Sequence, residues 1–139
     1  MLTIGRMDTE EIERIRDALA RHEHPPLRIA LLFGSLAEGR ARPDSDLDVA
    51  VAADRPLDTA QKQSLIERLA ETSGRPVDLI DLRTAGEPLL GRALQGRPLL
   101  MRDRRLFEEI IKRHLIETED FLPLQRRLLA ERRKAWTGT

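Results

Sequence analysis

Cysteine and tyrosine are both absent from these 139 residues. Without cysteine there is no disulfide scaffold, no zinc ribbon and no thiol nucleophile. Aromatic residues make up only 3%, too few for the stacking platforms that hold single-stranded bases. An excess of charge of either sign is missing as well: 24 lysines and arginines stand against 24 aspartates and glutamates. A protein that grips a nucleic-acid backbone by bulk charge is usually basic, so no direct nucleic-acid contact is expected. No apolar run reaches the roughly 18 residues of a membrane-spanning helix. Residues 1–6 also lack the apolar core of a signal peptide. A cytoplasmic chain without membrane contact is the expectation. What is present is one domain's worth of sequence, 40% hydrophobic and 35% charged, a balance suited to a small globule with a heavily charged surface.

Periodicity divides the chain into short elements. Asp8 and Glu11 have the spacing of a capping box, and Ile12, Ile15 and Leu19 then repeat at helical intervals up to Pro25 and Pro26. The nearly continuous apolar run 27–33, stopped by Gly34, predicts a buried strand. Residues 47–52 predict a second. Asp58 and Gln61 repeat the capping-box spacing ahead of a helix carrying Leu65, Ile66 and Leu69, with Gly74 at its C-terminal cap. Residues 77–82 predict a third strand. Leu89, Leu90, Ala93 and Leu94 predict a short helix ending near Gly96, and 98–101 an edge strand, because Pro98 lacks a ladder donor. From Asp103 onward the pattern is helical throughout. Phe107, Ile110, Ile111, His114 and Leu115 form one stripe, and Leu124, Leu128 and Leu129 another. The expectation is an α/β domain over 1–101 with a helical C-terminal extension over 102–139.

Chemistry concentrates between Gly34 and Asp48. Residues two apart on a strand point to one face, so Asp46 and Asp48 project together while Leu47, Val49 and Val51 face a core. Two ionised carboxylates about 7 Å apart on a strand repel, and a divalent cation removes that penalty. Mg²⁺ prefers oxygen ligands and is usually held by one or two carboxylates plus substrate phosphates. Asp78, in the middle of the third strand, completes such a site if that strand neighbours the second. Three carboxylates around Mg²⁺ suit phosphoryl or nucleotidyl transfer. Gly34 at a strand end lets a phosphate approach the backbone. A short helix through 36–38 would aim amide groups at it, and the Ser35 hydroxyl can bond a phosphate oxygen.

Gly34-Ser35, ten intervening residues, then Asp46-x-Asp48 resembles the GSx10DxD signature of the nucleotidyltransferase superfamily that includes DNA polymerase beta. The short length is similar to its minimal nucleotidyltransferase (MNT) branch. Within that branch the chain resembles the MntA-type antitoxins of HEPN/MNT systems, over roughly residues 27–101. The resemblance implies a mixed sheet flanked by helices. It implies two Mg²⁺ ions held by Asp46, Asp48 and Asp78, a nucleotide triphosphate held by Gly34 and Ser35, and AMP transfer from ATP to a tyrosine of a HEPN-domain ribonuclease toxin (HepT-like). Asp78, on the nucleophile side, would help to deprotonate that tyrosine. The acceptor lies on another chain, since this one has no tyrosine. Two other readings compete: a small-molecule nucleotidyltransferase working with a partner subunit, and an antitoxin acting by occlusion without catalysis.

Other residues carry weaker signals. Asp81, three beyond Asp78, should turn to the opposite face as a structural acid. Arg40 and Arg42 precede the acids and can reach triphosphate oxygens. His114 reads as a packed or interfacial histidine. Residues 101–139 hold 10 basic against 7 acidic side chains. Phe107, Ile111, Leu115, Phe121, Leu124 and Leu128 exceed one buried stripe if earlier helices already cover the sheet. A docking surface for the partner is therefore expected there, with Trp136 either anchoring it or packing the last helix down.

Overall fold

The structure, a computed structural model, describes residues 8–39 and 45–119. Its elements run α1 (Thr9–Arg21), β1 (Leu27–Phe33), α2 (Gly34–Ala37), β2 (Leu47–Ala53), α3 (Thr59–Ser73), β3 (Val77–Asp81), α4 (Leu89–Leu94), β4 (Arg97–Met101) and α5 (Arg104–His114), followed by a π-helical turn over Leu115–Glu119. The four strands form one mixed sheet in the order β3-β2-β1-β4. β1 is antiparallel to both β2 and β4, whereas β2 and β3 are parallel. A parallel pair needs a crossover, and α3 supplies it.

Local chemistry sets the helix ends. Asp8 caps α1 by accepting from the Glu11 amide at 2.7 Å. The Glu11 carboxylate turns away to Arg75. At α3 the box closes in both directions: Asp58 accepts from the Gln61 amide at 2.8 Å, and the Gln61 side chain accepts from the Asp58 amide at 2.9 Å. Gly74 ends α3 in the left-handed conformation at φ 68°, where a side chain would be strained. Pro98 lies in β4, on the sheet's edge.

Each face of the sheet has its own cover. Under α1 and α3, Ile15, Leu19, Leu65 and Leu69 pack against Leu32, Leu47, Val49 and Val51. Fully burying such a side chain stabilises by about 1.5–3 kcal/mol. Under α4 and α5, Leu90, Leu106 and Ile110 pack against Leu31, Phe33, Ala50, Ala52 and Ile80. Thus the earlier helices do not cover both faces, and α5 completes the second. Arg113 fastens it there, donating to the carbonyls of Leu82 (2.6 Å), Arg83 (2.5 Å) and Ala85 (3.2 Å). His114 Nδ1 lies 2.6 Å from Glu87 Oε1, a packed histidine as expected. Leu115 and Ile116 are exposed. Phe121, Leu124, Leu128, Leu129 and Trp136 lie outside the described residues.

Candidate active site

β2 carries the site because its two faces differ. Leu47, Val49 and Val51 are sealed under α1 and α3. Asp48 points to the other side, ahead of Ala50 and Ala52, and Asp46 is near enough for its charge to act on it. Asp46 stands one residue before β2 and is exposed; Asp48 is half-buried. In the parallel ladder Asp48 is the direct partner of Asp78, and Leu47 of Val77. The third acid therefore stands beside the second on the neighbouring strand, exposed at the surface.

Gly34 closes the other side. β1 ends at Phe33, the register partner of Asp48, and the chain turns at once into α2. That turn uses φ +75° at Gly34, and a methyl group built there would sit 2.1 Å from Asp48 Oδ2 and 2.9 Å from its Cγ. Only glycine allows both the backbone angle and the close approach. Helix α2 begins at Gly34 itself, two residues earlier than the periodicity suggests. Ser35 is its second residue, half-buried.

The acids act on one another. Burial, then the charges of Asp78 and Asp46, raise the Asp48 carboxyl from the ordinary 3.8 to about 6, while Arg92 opposes the rise. Arg92, near the end of α4, shares a groove of ≈ 220 Å³ with Gly34, Gln95 and Arg97. Gly96 makes this possible: a methyl there would lie 2.4 Å from the Leu32 carbonyl oxygen, so α4 ends tight against β1. Arg92 is not legible in the sequence as a site residue, because a lone arginine on a short helix carries no local signal. Arg40 and Arg42 lie outside the described residues.

Asp81 is the counterexample among the acids. It is 3% exposed and accepts from the Leu57 amide at 2.8 Å and the Arg83 amide at 2.9 Å. Its carboxylate pins the loop entering α3 and lies away from Asp78, as strand alternation requires.

The donor set suits a hard divalent cation: Asp48 is held back from ionising by burial and then by the charges of Asp78 and Asp46. Among the described residues no group of three acidic or imidazole side chains is placed to hold a metal ion as it stands. Mg²⁺ asks less of a protein, one or two carboxylates with substrate phosphates completing the shell.

A Gly-led turn and paired strand acids on a mixed sheet define a nucleotidyltransferase fold. The polymerase beta nucleotidyltransferase family matches residues 13–105, and the chain belongs to that family. Protein adenylyltransferase MntA of Shewanella oneidensis is 38% identical over 82 residues, covering 58% of this chain and 59% of that protein. An aminoglycoside (3'') (9) adenylyltransferase of Klebsiella pneumoniae is 33% identical over 73 residues, covering 52% of this chain and 28% of that enzyme. The chain thus spans less than two thirds of the length of these curated relatives. A crystal structure of a toxin-antitoxin with AMP-PNP contains a chain that superposes with a TM-score of 0.64 at 27% identity, covering 91% of this chain and 96% of that one.

Proposed function

We propose that this chain transfers AMP from ATP to a tyrosine hydroxyl of a HEPN-domain toxin and so neutralises it. The observation that carries the reading is the pairing of Asp48 with Asp78 across adjacent strands, directly against Gly34. Likeness to a protein adenylyltransferase and to a toxin-antitoxin structure with AMP-PNP supports the choice of ATP and of a protein acceptor. The setting is cytoplasmic; among the described residues no helix is long and apolar enough to cross a membrane.

Asp46, Asp48 and Asp78 would hold Mg²⁺, two ions in the full site. When bound, Mg²⁺ neutralises triphosphate charge and favours the ionised acceptor. Gly34 leaves its backbone open to the phosphates, and the Ser35 hydroxyl donates to a phosphate oxygen. Arg92, whose charge acts on Asp48, adds positive charge from the groove beside Gly34. Asp78 lies on the acceptor side and takes the tyrosine proton. The phenolic oxygen then attacks the α-phosphorus in line, its bond to phosphorus forms, the bond to the bridging oxygen breaks, and pyrophosphate leaves.

The test incubates the chain with Mg²⁺, α-labelled ATP and the purified HEPN protein. The expected result is label on a toxin tyrosine, with one pyrophosphate released per AMP. Neutralisation without label would overturn the reading in favour of occlusion. Transfer to an aminoglycoside but not to the protein would favour a small-molecule acceptor.

A further inference from the structure

Of the three acids, Asp48 and Asp78 lie within strands, whereas Asp46 stands ahead of β2 with an exposed side chain. Its backbone is nevertheless held on both sides by the turn between α3 and β3. On one side Arg75 Nη1 donates to the Ser45 carbonyl at 3.1 Å. On the other, the Leu47 amide donates to the Pro76 carbonyl at 2.8 Å. Arg75 is itself fixed: its Nε donates to Glu11 Oε1 at 2.8 Å, and its amide donates to Ser73 Oγ at 3.2 Å. The Arg75 and Glu11 side chains are only 13% and 12% exposed.

A nearly buried ion pair is by itself weak evidence for stability, because desolvation offsets the attraction. What distinguishes this one is the direction of the guanidinium fork. One arm is anchored to α1, and another reaches the carbonyl immediately before the first acid. We propose that Arg75 is a positioning residue for Asp46, presenting that carboxylate to a divalent cation beside Asp48. The inference rests on the reading of the acids as a cation site. It adds that the geometry of the site is set from α1 through Arg75.

Three full-length variants test it, read out by amide hydrogen exchange without metal and by Mn²⁺ binding with AMP-PNP. Arg75→Met removes the fork. The Leu47 amide should then exchange faster relative to the Ala50 amide inside β2, and Mn²⁺ affinity should fall about tenfold or more, the scale seen when a metal's supporting shell is lost. Glu11→Gln keeps an oxygen acceptor for Arg75 and leaves the bond to Ser45. It should lower the melting temperature while leaving the Leu47-to-Ala50 exchange ratio and Mn²⁺ affinity unchanged. Arg75→Lys, which keeps the charge but cannot serve both acceptors, should fall between the two and provides the comparison if Arg75→Met does not fold. A merely structural role predicts that all three lower the melting temperature with Mn²⁺ affinity and the exchange ratio intact, and that result overturns the inference. A wild-type chain that binds no Mn²⁺ with AMP-PNP overturns the cation site itself, and the exchange ratio then decides separately whether Arg75 holds the entry to β2.

Discussion

On the face under α1 and α3, β2 presents Leu47, Val49, Val51 and Ala53, each fully buried. On the face under α4 and α5 the same strand presents Asp48, Ala50 and Ala52. The covers differ in the same sense: α1 and α3 have 13 and 15 residues, α4 and α5 only 6 and 11. Long helices seal one face to its end. Short ones, over alanines, leave Asp48 half-buried at the end of the other, where it meets a turn that only glycine can make and feels the charges of Asp78 and Asp46. On the proposed function one face serves stability and the other chemistry, and substitutions on the two should separate accordingly.

The largest separation is expected at Asp48. Asp48→Asn should reduce AMP transfer by more than the roughly 100-fold that loss of a metal's outer-shell partner can cost, with the fold intact. Labelled-ATP transfer beside a circular-dichroism spectrum measures both. Normal transfer by this variant would break the comparison, since the uncovered face would then not be the reactive one.

A second separation lies within β3. Asp78→Ala should lose transfer more severely than nucleotide binding and keep its melting temperature, because the side chain is exposed. Asp81→Ala should do the reverse. It removes two hydrogen bonds to a buried carboxylate, each worth roughly 1.5–3 kcal/mol, while activity per folded molecule stays close to normal. Urea melts and transfer rates on the two proteins decide it. A stable but inactive Asp81→Ala protein would mean that the two acids had exchanged roles.

The smallest effect sharpens the comparison through pH. The Asp48 carboxyl keeps its proton up to about 6 in the folded chain, against an ordinary 3.8. Between those values the native state binds more protons than the unfolded one, so stability falls as pH rises through that window and stays reduced above it. Asn at this position has no proton to lose. Without metal, the melting temperature of Asp48→Asn should match wild type near pH 4, rise above it between about pH 4 and 6, and hold a constant gain beyond. An equal gain at pH 4 and pH 7 would show that burial and the charges of Asp78 and Asp46 do not raise this carboxyl.

Much of this could be read from the sequence because it is local. The caps at Asp8, Asp58 and Gly74 follow from spacings of three or four residues, the edge position of Pro98 from its missing donor, and the turning of Asp48 away from Leu47 and Val49 from the strand's two-residue period. The same two-residue period turns Asp81 away from Asp78. Tertiary structure alone decided which strands are neighbours. The order β3-β2-β1-β4 puts Asp78 beside Asp48, 30 residues apart in sequence, and lays Gly34 against that same carboxylate. It also decided that α5 is needed to cover the second face, and that Arg75 bridges Glu11 and Ser45. The physical reason is common to all of these. A period along the chain says which way a side chain points, but not what it meets, because partners across a sheet are chosen by the packing of the whole domain.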